Sequence, residues 1–309
     1  MLGQTSYRIL TRGDFDGLVS ASLLRELGMC REIKLVHPKD MQDGKVMITD
    51  RDIATNLPYV EGVHMAFGHY VSEIIRVGKD RPNHVNDPYS PSTARVVYNH
   101  YGGKAAFPKI SDDLMMAVDC ADSAQFSIDE VLQPTEWALL HFILDARTGL
   151  GRFSEFSNTN QEMLLSLVDA IRQQSIEELL EHPDIKERVD FYFSQQTFFE
   201  QQLMACTEVE DNVAVLDLRN EDPIYVGNRF MIYALNPLAN VSIHVLWGPQ
   251  KQNTVIAVGR SIFDRSLSVN IGKLMLEFGG GGRGGAGTCQ VPNDQAESVL
   301  RQIITRLQF

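Results

Sequence analysis

The sequence predicts an α/β protein with two domains: an N-terminal parallel-sheet domain with a helical extension, and a smaller C-terminal α/β domain with a mixed sheet. Three observations lead to this prediction. The chain has 309 residues, 44% of them hydrophobic, which is enough for two cores. Its first third alternates β-rich runs with helical patterns, and its last third holds strand-like runs separated by turn residues. We place the domains at residues 1–190 and 211–309, joined by a helical connector at 191–210.

Five short runs in the first third predict the strands of the parallel sheet. They are YRILT at 7, IKLVH at 33, VMIT at 46, VHMAF at 63 and LMMAV at 114. Because parallel strands need crossover connections, the helical patterns between these runs fit this arrangement.

The remaining elements follow from capping signals and strand patterns. Helical periodicity at residues 159–206 includes a Ser175–Glu178 capping box and Pro183, both typical of helix starts. Beyond Asn212, four runs predict strands of the second sheet: NVAVLDLR, RFMIYALN, VSIHVLWG and NTVIAVGRS. The stretch AESVLRQIITRL predicts a closing amphipathic helix.

Composition excludes several classes of function. The formal charge of -12 argues against a protein that holds duplex DNA by overall electrostatics. The sequence has no 18-residue apolar stretch, and its start lacks a basic region followed by a long apolar run. We expect a cytoplasmic protein that does not associate with membranes.

Acidic residues and one histidine follow the predicted parallel strands, where ligands of open α/β sheets bind. They are Asp14, Asp16, Asp50, His69 and Asp119. Uncompensated carboxylates raise one another's pKa, so their convergence predicts a cation among them. Oxygen ligands with one histidine suit Mn²⁺ or Mg²⁺. Taken singly, each aspartate has the alternative role of a helix N-cap or loop residue.

These motifs resemble those of a known family. TRGDFDGLVSASLL resembles motif I of the DHH phosphoesterase superfamily, ITD resembles motif II, FGHYVSE stands in the place of the D-H-H signature, and AVDCADS resembles motif IV. The cluster FGGGGRGGAGTCQV at 278–291 resembles the glycine-rich loop of the associated C-terminal domain. The chain is thus identified as a two-domain member, related to exopolyphosphatases and oligoribonucleases, with degenerate motifs.

The resemblance implies a hydrolase of phosphoester or phosphoanhydride bonds that uses two manganese ions, with magnesium as the alternative metal. Carried over by position, Asp16, Asp50, His69 and Asp119 bind one metal, and Asp50 bridges to the other. The first site is complete on this assignment.

The second site departs from the family pattern. Arg12 stands where the family has a histidine ligand, which leaves Asp14 and Asp50, and a guanidinium cannot ligate a cation. Arg12 either neutralises Asp14 and Asp50 or points at a substrate phosphate. Tyr70 replaces the second histidine of the signature, and Gly68 its aspartate. We assign catalytic roles to Asp14, Arg12 and Tyr70.

The glycine cluster implies a substrate-binding loop. Gly280, Gly281 and Gly282 would bring bare backbone amides to a phosphate, because a Cβ would block that approach. Arg283 replaces the family histidine and can bind phosphate through two donors. A flexible linker is the alternative interpretation of this stretch.

Together these features predict a metal-dependent phosphoesterase that hydrolyses a phosphodiester, phosphomonoester or phosphoanhydride bond. Its partner would be a small phosphorylated ligand, such as a nucleotide or polyphosphate, or a short single-stranded oligonucleotide. The alternative is a protein of the same fold that binds phosphate or nucleotides with little or no catalysis. The sequence leaves a homodimer open.

Overall fold

A computed structural model describes residues 6–78, 81–153 and 155–308. Its internal contacts divide the chain into two compact units. The first comprises Met1–Phe126, Thr135–Ala146 and Leu150–Asp190, and the second comprises Ser127–Pro134, Arg147–Gly149 and Phe191–Phe309. The first contains a parallel sheet and the second a mixed sheet, so the predicted fold class is confirmed.

The parallel sheet of the first unit has its strands in the order β2-β1-β3-β4-β5. They are β1 (Tyr7–Thr11), β2 (Cys30–Leu35), β3 (Asp52–Thr55), β4 (Met65–Gly68) and β5 (His84–Asn86). The central strands are apolar and buried on both faces, as Ile9, Leu10, Ile53 and Ala54 show. Since all five strands are parallel, their carboxyl ends lie at one edge.

Helices connect these strands and continue into the extension. In chain order they are α1 (Phe15–Glu26), α2 (Pro38–Gln42), α3 (Val71–Val77), α4 (Thr93–His100), α5 (Asp112–Asp122), α6 (Ile128–Leu132), α7 (Glu136–Leu144), α8 (Asn160–Ala170), α9 (Ile176–Leu180) and α10 (Pro183–Cys206). Of these, α6 and the part of α10 after Asp190 belong to the second unit. The predicted capping box is present at the start of α9: Ser175 accepts from the Glu178 amide, and Glu178 reaches back to the Ser175 amide. Pro183 begins α10, as predicted.

Two predicted strands of this unit are wrong. VMIT at 46 forms no strand; the neighbouring strand is β3, a few residues later, and Met47 is 82% exposed. LMMAV at 114 lies in helix α5, which Ser111 caps by accepting from the Leu114 amide. Within that run Leu114, Met115 and Val118 are buried and Met116 is exposed, a helical spacing rather than a strand one.

The mixed sheet of the second unit has the strand order β10-β11-β9-β8-β7-β6. Its elements are β6 (Thr207–Glu210), β7 (Val213–Asp217), α11 (Met231–Leu235), β8 (Val241–Trp247), β9 (Thr254–Arg260), α12 (Ile271–Leu276), β10 (Gly281–Arg283), β11 (Ala286–Val291) and α13 (Ala296–Leu307). Helices α12 and α13 pack their apolar faces on the sheet, as Ile271, Met275, Ile303 and Ile304 show. The predicted C-terminal helix is therefore present.

One predicted strand of the second unit is a helix. RFMIYALN contains α11, in which Met231, Ile232 and Tyr233 are all buried. A short run that is buried on every side has no period of 2 or 3.6, so the pattern could not separate strand from helix. Of the helices that the structure describes, none is long and apolar enough to cross a membrane.

Candidate active site

The sheet brings together the loops that follow β1, β3 and β4. These strands are neighbours. The chain passes from β1 to β2 on one side of it and then returns to form β3 on the other side, and open α/β sheets bind ligands where the strand order reverses in this way. Asp14 and Asp16 follow β1 at the start of α1, Asn56 follows β3, and His69 follows β4. Gly17 allows the tight turn into α1, because a Cβ there would lie 2.0 Å from the carbonyl oxygen of Arg12.

Asp16, His69 and Asp122 form a cluster of metal-ligating groups at this edge. Each offers one ligand atom, and these atoms lie within 4.8 Å of one another. Asp16 is 3% exposed, and the side chains of His69 and Asp122 are mostly buried. Two of these three residues, Asp16 and His69, are metal ligands predicted from the sequence.

The N-terminus of α4 holds Asp16. Its two carboxylate oxygens accept from the backbone amides of Thr93 (3.1 Å) and Ala94 (2.7 Å), so both amides at the helix start have an anionic partner. Burial, together with the negative charge of Asp122, nevertheless raises the pKa of Asp16 to about 7. Two buried carboxylates this close need a positive charge between them.

His69 is oriented through its other ring nitrogen. Nδ1 lies 3.0 Å from the carbonyl oxygen of Ser90, which can only accept, so we assign the proton to Nδ1. This leaves Nε2 towards Asp122, 2.9 Å away. Burial opposes protonation of the ring, but the Asp122 carboxylate, which can accept from a protonated Nε2, outweighs it and raises the pKa of His69.

This donor set fits a divalent cation. It combines two carboxylates with an imidazole whose second nitrogen donates to a backbone carbonyl, an outer contact that metal-bound histidines usually have. Carboxylate-rich sites with one histidine suit Mn²⁺ or Mg²⁺. Asp16, His69 and Asp122 are therefore the residues that could hold a metal.

Several hydrogen-bond donors surround Asp14. Asp14 Oδ1 accepts from the Gly17 amide at 2.9 Å and from Asn56 Nδ2 at 3.0 Å, and Oδ2 pairs with Arg12 Nε at 2.9 Å. The Tyr70 hydroxyl donates to Asn56 Oδ1. The charge of Asp14 is the largest cause that raises the pKa of Arg12, so the guanidinium stays charged. The predicted catalytic residues Asp14, Arg12 and Tyr70 thus lie in one network, with Asn56 as an added member.

The structure does not bring Asp50 into this site. Asp50 is exposed and precedes β3, so it lies towards the amino end of the strand, whereas the other candidates follow carboxyl ends. The assignment of Asp50 depended on a strand at 46–49, and the structure corrects it. Asn56 occupies the strand end where Asp50 was expected. Asn56 was missed because an amide was not expected in place of a carboxylate.

The assignment of Asp119 also depended on a strand that the structure contradicts. In α5, Asp119 accepts from Ser92 at 2.7 Å and pairs with Arg95 at 2.5 Å, while Asp122, one turn later, belongs to the metal-ligating cluster. Residues three apart lie on the same side of a helix, so the carboxylate of the cluster is that of Asp122, one turn after the predicted Asp119. The Ser111 cap with Asp112 and Asp113 in the first turn was the signal that could have identified the helix.

The glycine cluster forms a hairpin that packs closely on α12. A Cβ at Gly280 would lie 2.1 Å from the Thr288 carbonyl oxygen, and one at Gly282 would lie 2.2 Å from that of Ala286. Gly281 has no atom within 4 Å of such a Cβ, and Arg283 is exposed. Close backbone packing therefore accounts for Gly280 and Gly282. The cluster is ordered strand and turn rather than a linker, and phosphate binding by these residues stays a prediction.

A small cavity of about 120 Å³ lies beside this hairpin, within the second unit. Its lining includes Arg147, Arg229, His244 and the first residues of β11. Burial, with a contribution from the charge of Arg229, lowers the pKa of His244 to about 4. At neutral pH the cavity is therefore lined by arginines and a neutral imidazole, a lining suited to an anion.

Comparison with known proteins gives a match of high sequence identity over nearly the full length of both chains. A solved structure of a pGpG-specific phosphodiesterase, PggH from Vibrio cholerae, is 51% identical; the match covers 98% of this chain and 99% of that chain, with a TM-score of 0.82. No family model matches the chain. A search of curated proteins gives no match either.

Two more distant structures share the fold. The DHH domain of a protein from a family of ribosomal proteins is 11% identical, with a TM-score of 0.55, and the match covers 99% of this chain and 88% of that one. RecJ from Thermus thermophilus, solved with Mn²⁺, is 12% identical, with a TM-score of 0.54, and the match covers 98% of this chain and 52% of RecJ. At such identities the likeness concerns the fold alone.

Proposed function

Because the chain belongs to the DHH phosphoesterase superfamily, as its motifs predict, and to the family of the pGpG-specific phosphodiesterase, we propose that it hydrolyses the linear dinucleotide pGpG. The observation that carries this proposal is the 51% identity over nearly the whole of both chains. Members of the superfamily are metal-dependent phosphoesterases that act on nucleotides and oligonucleotides. In the proposed reaction water attacks the bridging phosphorus, the bond to the 3′ oxygen breaks, that oxygen gains a proton, and two molecules of GMP form.

The geometry at the sheet edge supports this chemistry. Asp16, His69 and Asp122 would hold a divalent cation, whose Lewis acidity would activate water and offset the charge that develops on the phosphate. The protein fixes these ligands in advance: the amides of Thr93 and Ala94 hold Asp16, and the carbonyl of Ser90 orients His69. Such outer contacts keep ligands in place without reorganisation during the reaction.

The second unit has a cavity of its own that suits an anion. We propose that the cavity with Arg147, Arg229 and the neutral His244 binds a phosphate within this unit. Arginine suits this task because it is always charged and presents several donors in a fixed plane. The predicted contacts of Gly280, Gly281, Gly282 and Arg283 would belong to the same phosphate.

The remaining parts of the proposal rest on the sequence alone. We propose manganese as the resident metal, with magnesium as the alternative, a cytoplasmic location, and a partner no larger than a short single-stranded oligonucleotide. A homodimer stays open. The domain boundaries at 190 and 210 stay predictions.

The test is hydrolysis of pGpG by the purified chain. With Mn²⁺ present, we expect chromatography to show complete conversion to GMP, and we expect chelation of the metal to stop it. The matched substrates are pApA, a longer single-stranded oligonucleotide and polyphosphate, each at the same concentration. A chain that binds pGpG without turnover would support the non-catalytic alternative, and equal rates on all substrates would contradict the proposed specificity.

A further inference from the structure

Two acidic groups lie side by side at the carboxyl edge of the parallel sheet, and they differ in their partners. The side chains that cluster with Asp16, those of His69 and Asp122, can both accept or ligate. Around Asp14, the nearest groups donate: the Gly17 amide, Asn56 Nδ2 and Arg12 Nε. The surroundings of Asp16 suit a cation, whereas the negative charge of Asp14 is already neutralised by its donors.

Hydrogen bonding limits what Asp14 can still bind. Three donors lie 2.9–3.0 Å from its two carboxylate oxygens, and one of these donors is a backbone amide that the start of α1 holds in place. Asn56 is also fixed, since Tyr70 donates to its oxygen and thereby directs its amino group at Asp14. A cation at Asp14 would have to displace Arg12 and would meet the amino group of Asn56.

The charges of the two groups lead to the same conclusion. Asp16 and Asp122 together carry two negative charges when ionised, and His69 adds none when neutral, so one divalent ion balances the cluster. Asp14 carries one negative charge and pairs with the positive charge of Arg12, on which the charges of Asp122 and Asp145 also act. Asn56 adds no charge, whereas an aspartate at its position would restore an acidic site.

From this geometry we propose that the centre holds a single divalent ion, at Asp16, His69 and Asp122, and that the Arg12 guanidinium takes the place of a second ion. Arg12 is fixed to Asp14 through Nε, and its side chain is only partly buried, with 37% exposed. It supplies a permanent positive charge to a substrate phosphate beside the ion. This last step rests on the proposed phosphodiesterase activity, but the number of ions does not.

The experiment counts Mn²⁺ per chain after equilibrium dialysis and records its electron paramagnetic resonance. We expect one ion with the six-line spectrum of isolated Mn²⁺ in the wild-type chain. The Arg12→Ala variant should keep that ion, because Arg12 is not a ligand. The Arg12→His, Asn56→Asp double variant should bind two ions and show the broadened spectrum of a coupled pair.

A second readout tests the role of Arg12 towards phosphate. Arg12→Ala should lower kcat/KM for pGpG by about 100-fold, the typical loss for one charge-stabilising donor. Added guanidinium ion should restore part of it, and Arg12→Lys should lose less than Arg12→Ala. Restoration by a free cation would not follow if Arg12 served the fold alone.

The outcomes separate this inference from the proposed function. Two ions in the wild-type chain, or loss of the ion in Arg12→Ala, would overturn the single-ion centre even if pGpG is hydrolysed. One ion without hydrolysis of pGpG would contradict the proposed function and leave the ion count standing. If Arg12→Ala turns over pGpG at the wild-type rate, the guanidinium does not act on the phosphate.

Discussion

Asp119 and Asp122 lie one turn apart in α5 and have different partners. Asp119 joins Ser92 and Arg95 at the start of α4, the helix whose first amides hold Asp16. Asp122 lies 2.9 Å from His69 Nε2 and offers an oxygen to the metal-ligating cluster. The structure thus places Asp122, and not Asp119, among the residues that could hold a metal, and gives Asp119 contacts at the start of α4.

This difference leads to a paired prediction at the scale of single residues. We expect Asp122→Asn to lower kcat/KM for pGpG more than about 100-fold and to weaken Mn²⁺ binding, because a charged ligand is lost. Asp119→Asn should bind Mn²⁺ normally and lose only several-fold in kcat/KM. It should lower the free energy of unfolding by roughly 1.5–3 kcal/mol, the range for a hydrogen bond to a charged group.

Asp50→Ala is the control for the residue that the sequence placed in the site. Because Asp50 is exposed and precedes β3, this variant should match the wild-type chain in Mn²⁺ binding and in turnover. If it abolishes activity while Asp122→Asn does not, the ligand set drawn from the structure is wrong.

At the scale of elements, the hairpin of β10 and β11 shows why one glycine run contains two kinds of position. Gly280 and Gly282 lie against the backbone of β11, where a side chain has no room. A Cβ at Gly281 would have no atom within 4 Å. The same glycine run therefore contains two residues that packing requires to be glycine and one residue, Gly281, that it does not.

Alanine at these positions separates packing from ligand binding. Gly280→Ala should lower the free energy of unfolding by about 1–3 kcal/mol, since a Cβ 2.1 Å from a carbonyl oxygen forces β10 and β11 apart. Gly281→Ala should change it by less than about 0.5 kcal/mol. Urea unfolding measures both.

The KM for pGpG of the Gly281→Ala variant then tests the phosphate loop. A raised KM at unchanged stability would support the predicted contact of the backbone with phosphate. An unchanged KM would leave close packing against β11 as the reason for Gly280 and Gly282.

At the scale of the whole molecule, stability depends on pH partly through His244. Burial and the charge of Arg229 lower its pKa to about 4 in the folded protein, against about 6.5 in the unfolded chain. Between these values the unfolded chain binds a proton that the folded protein does not, so stability falls as pH falls from about 6.5 to about 4.

We therefore expect the titration of His244 to lower the free energy of unfolding by about 2 kcal/mol as the pH falls from 7 to 5. The His244→Gln variant should lose this part of the pH dependence, because glutamine does not titrate. Denaturant unfolding of both proteins at these two pH values, without metal, measures the difference. Equal losses in the two proteins would show that the pKa of His244 is not lowered by folding.

The sequence by itself determined much of the fold and part of the site. Alternating strands and helices predicted the α/β class, a capping box predicted α9, and Asp16 and His69 were found as candidate ligands because each follows a strand whose pattern is local. Arg12 was recognised as unable to bind a metal from its chemistry alone. These features depend on residues that are close in the sequence, so the sequence alone is enough to predict them.

Only the tertiary structure decided which other residues complete the site. Runs such as VMIT and LMMAV are short and apolar, and their pattern does not separate strand, turn and helix, so the carboxylates that follow them were placed wrongly. The position of β3 brings Asn56 rather than Asp50 beside Asp14, and the helical turn of α5 brings Asp122 rather than Asp119 beside His69. Both choices depend on contacts between segments far apart in the chain, and no local pattern encodes such contacts.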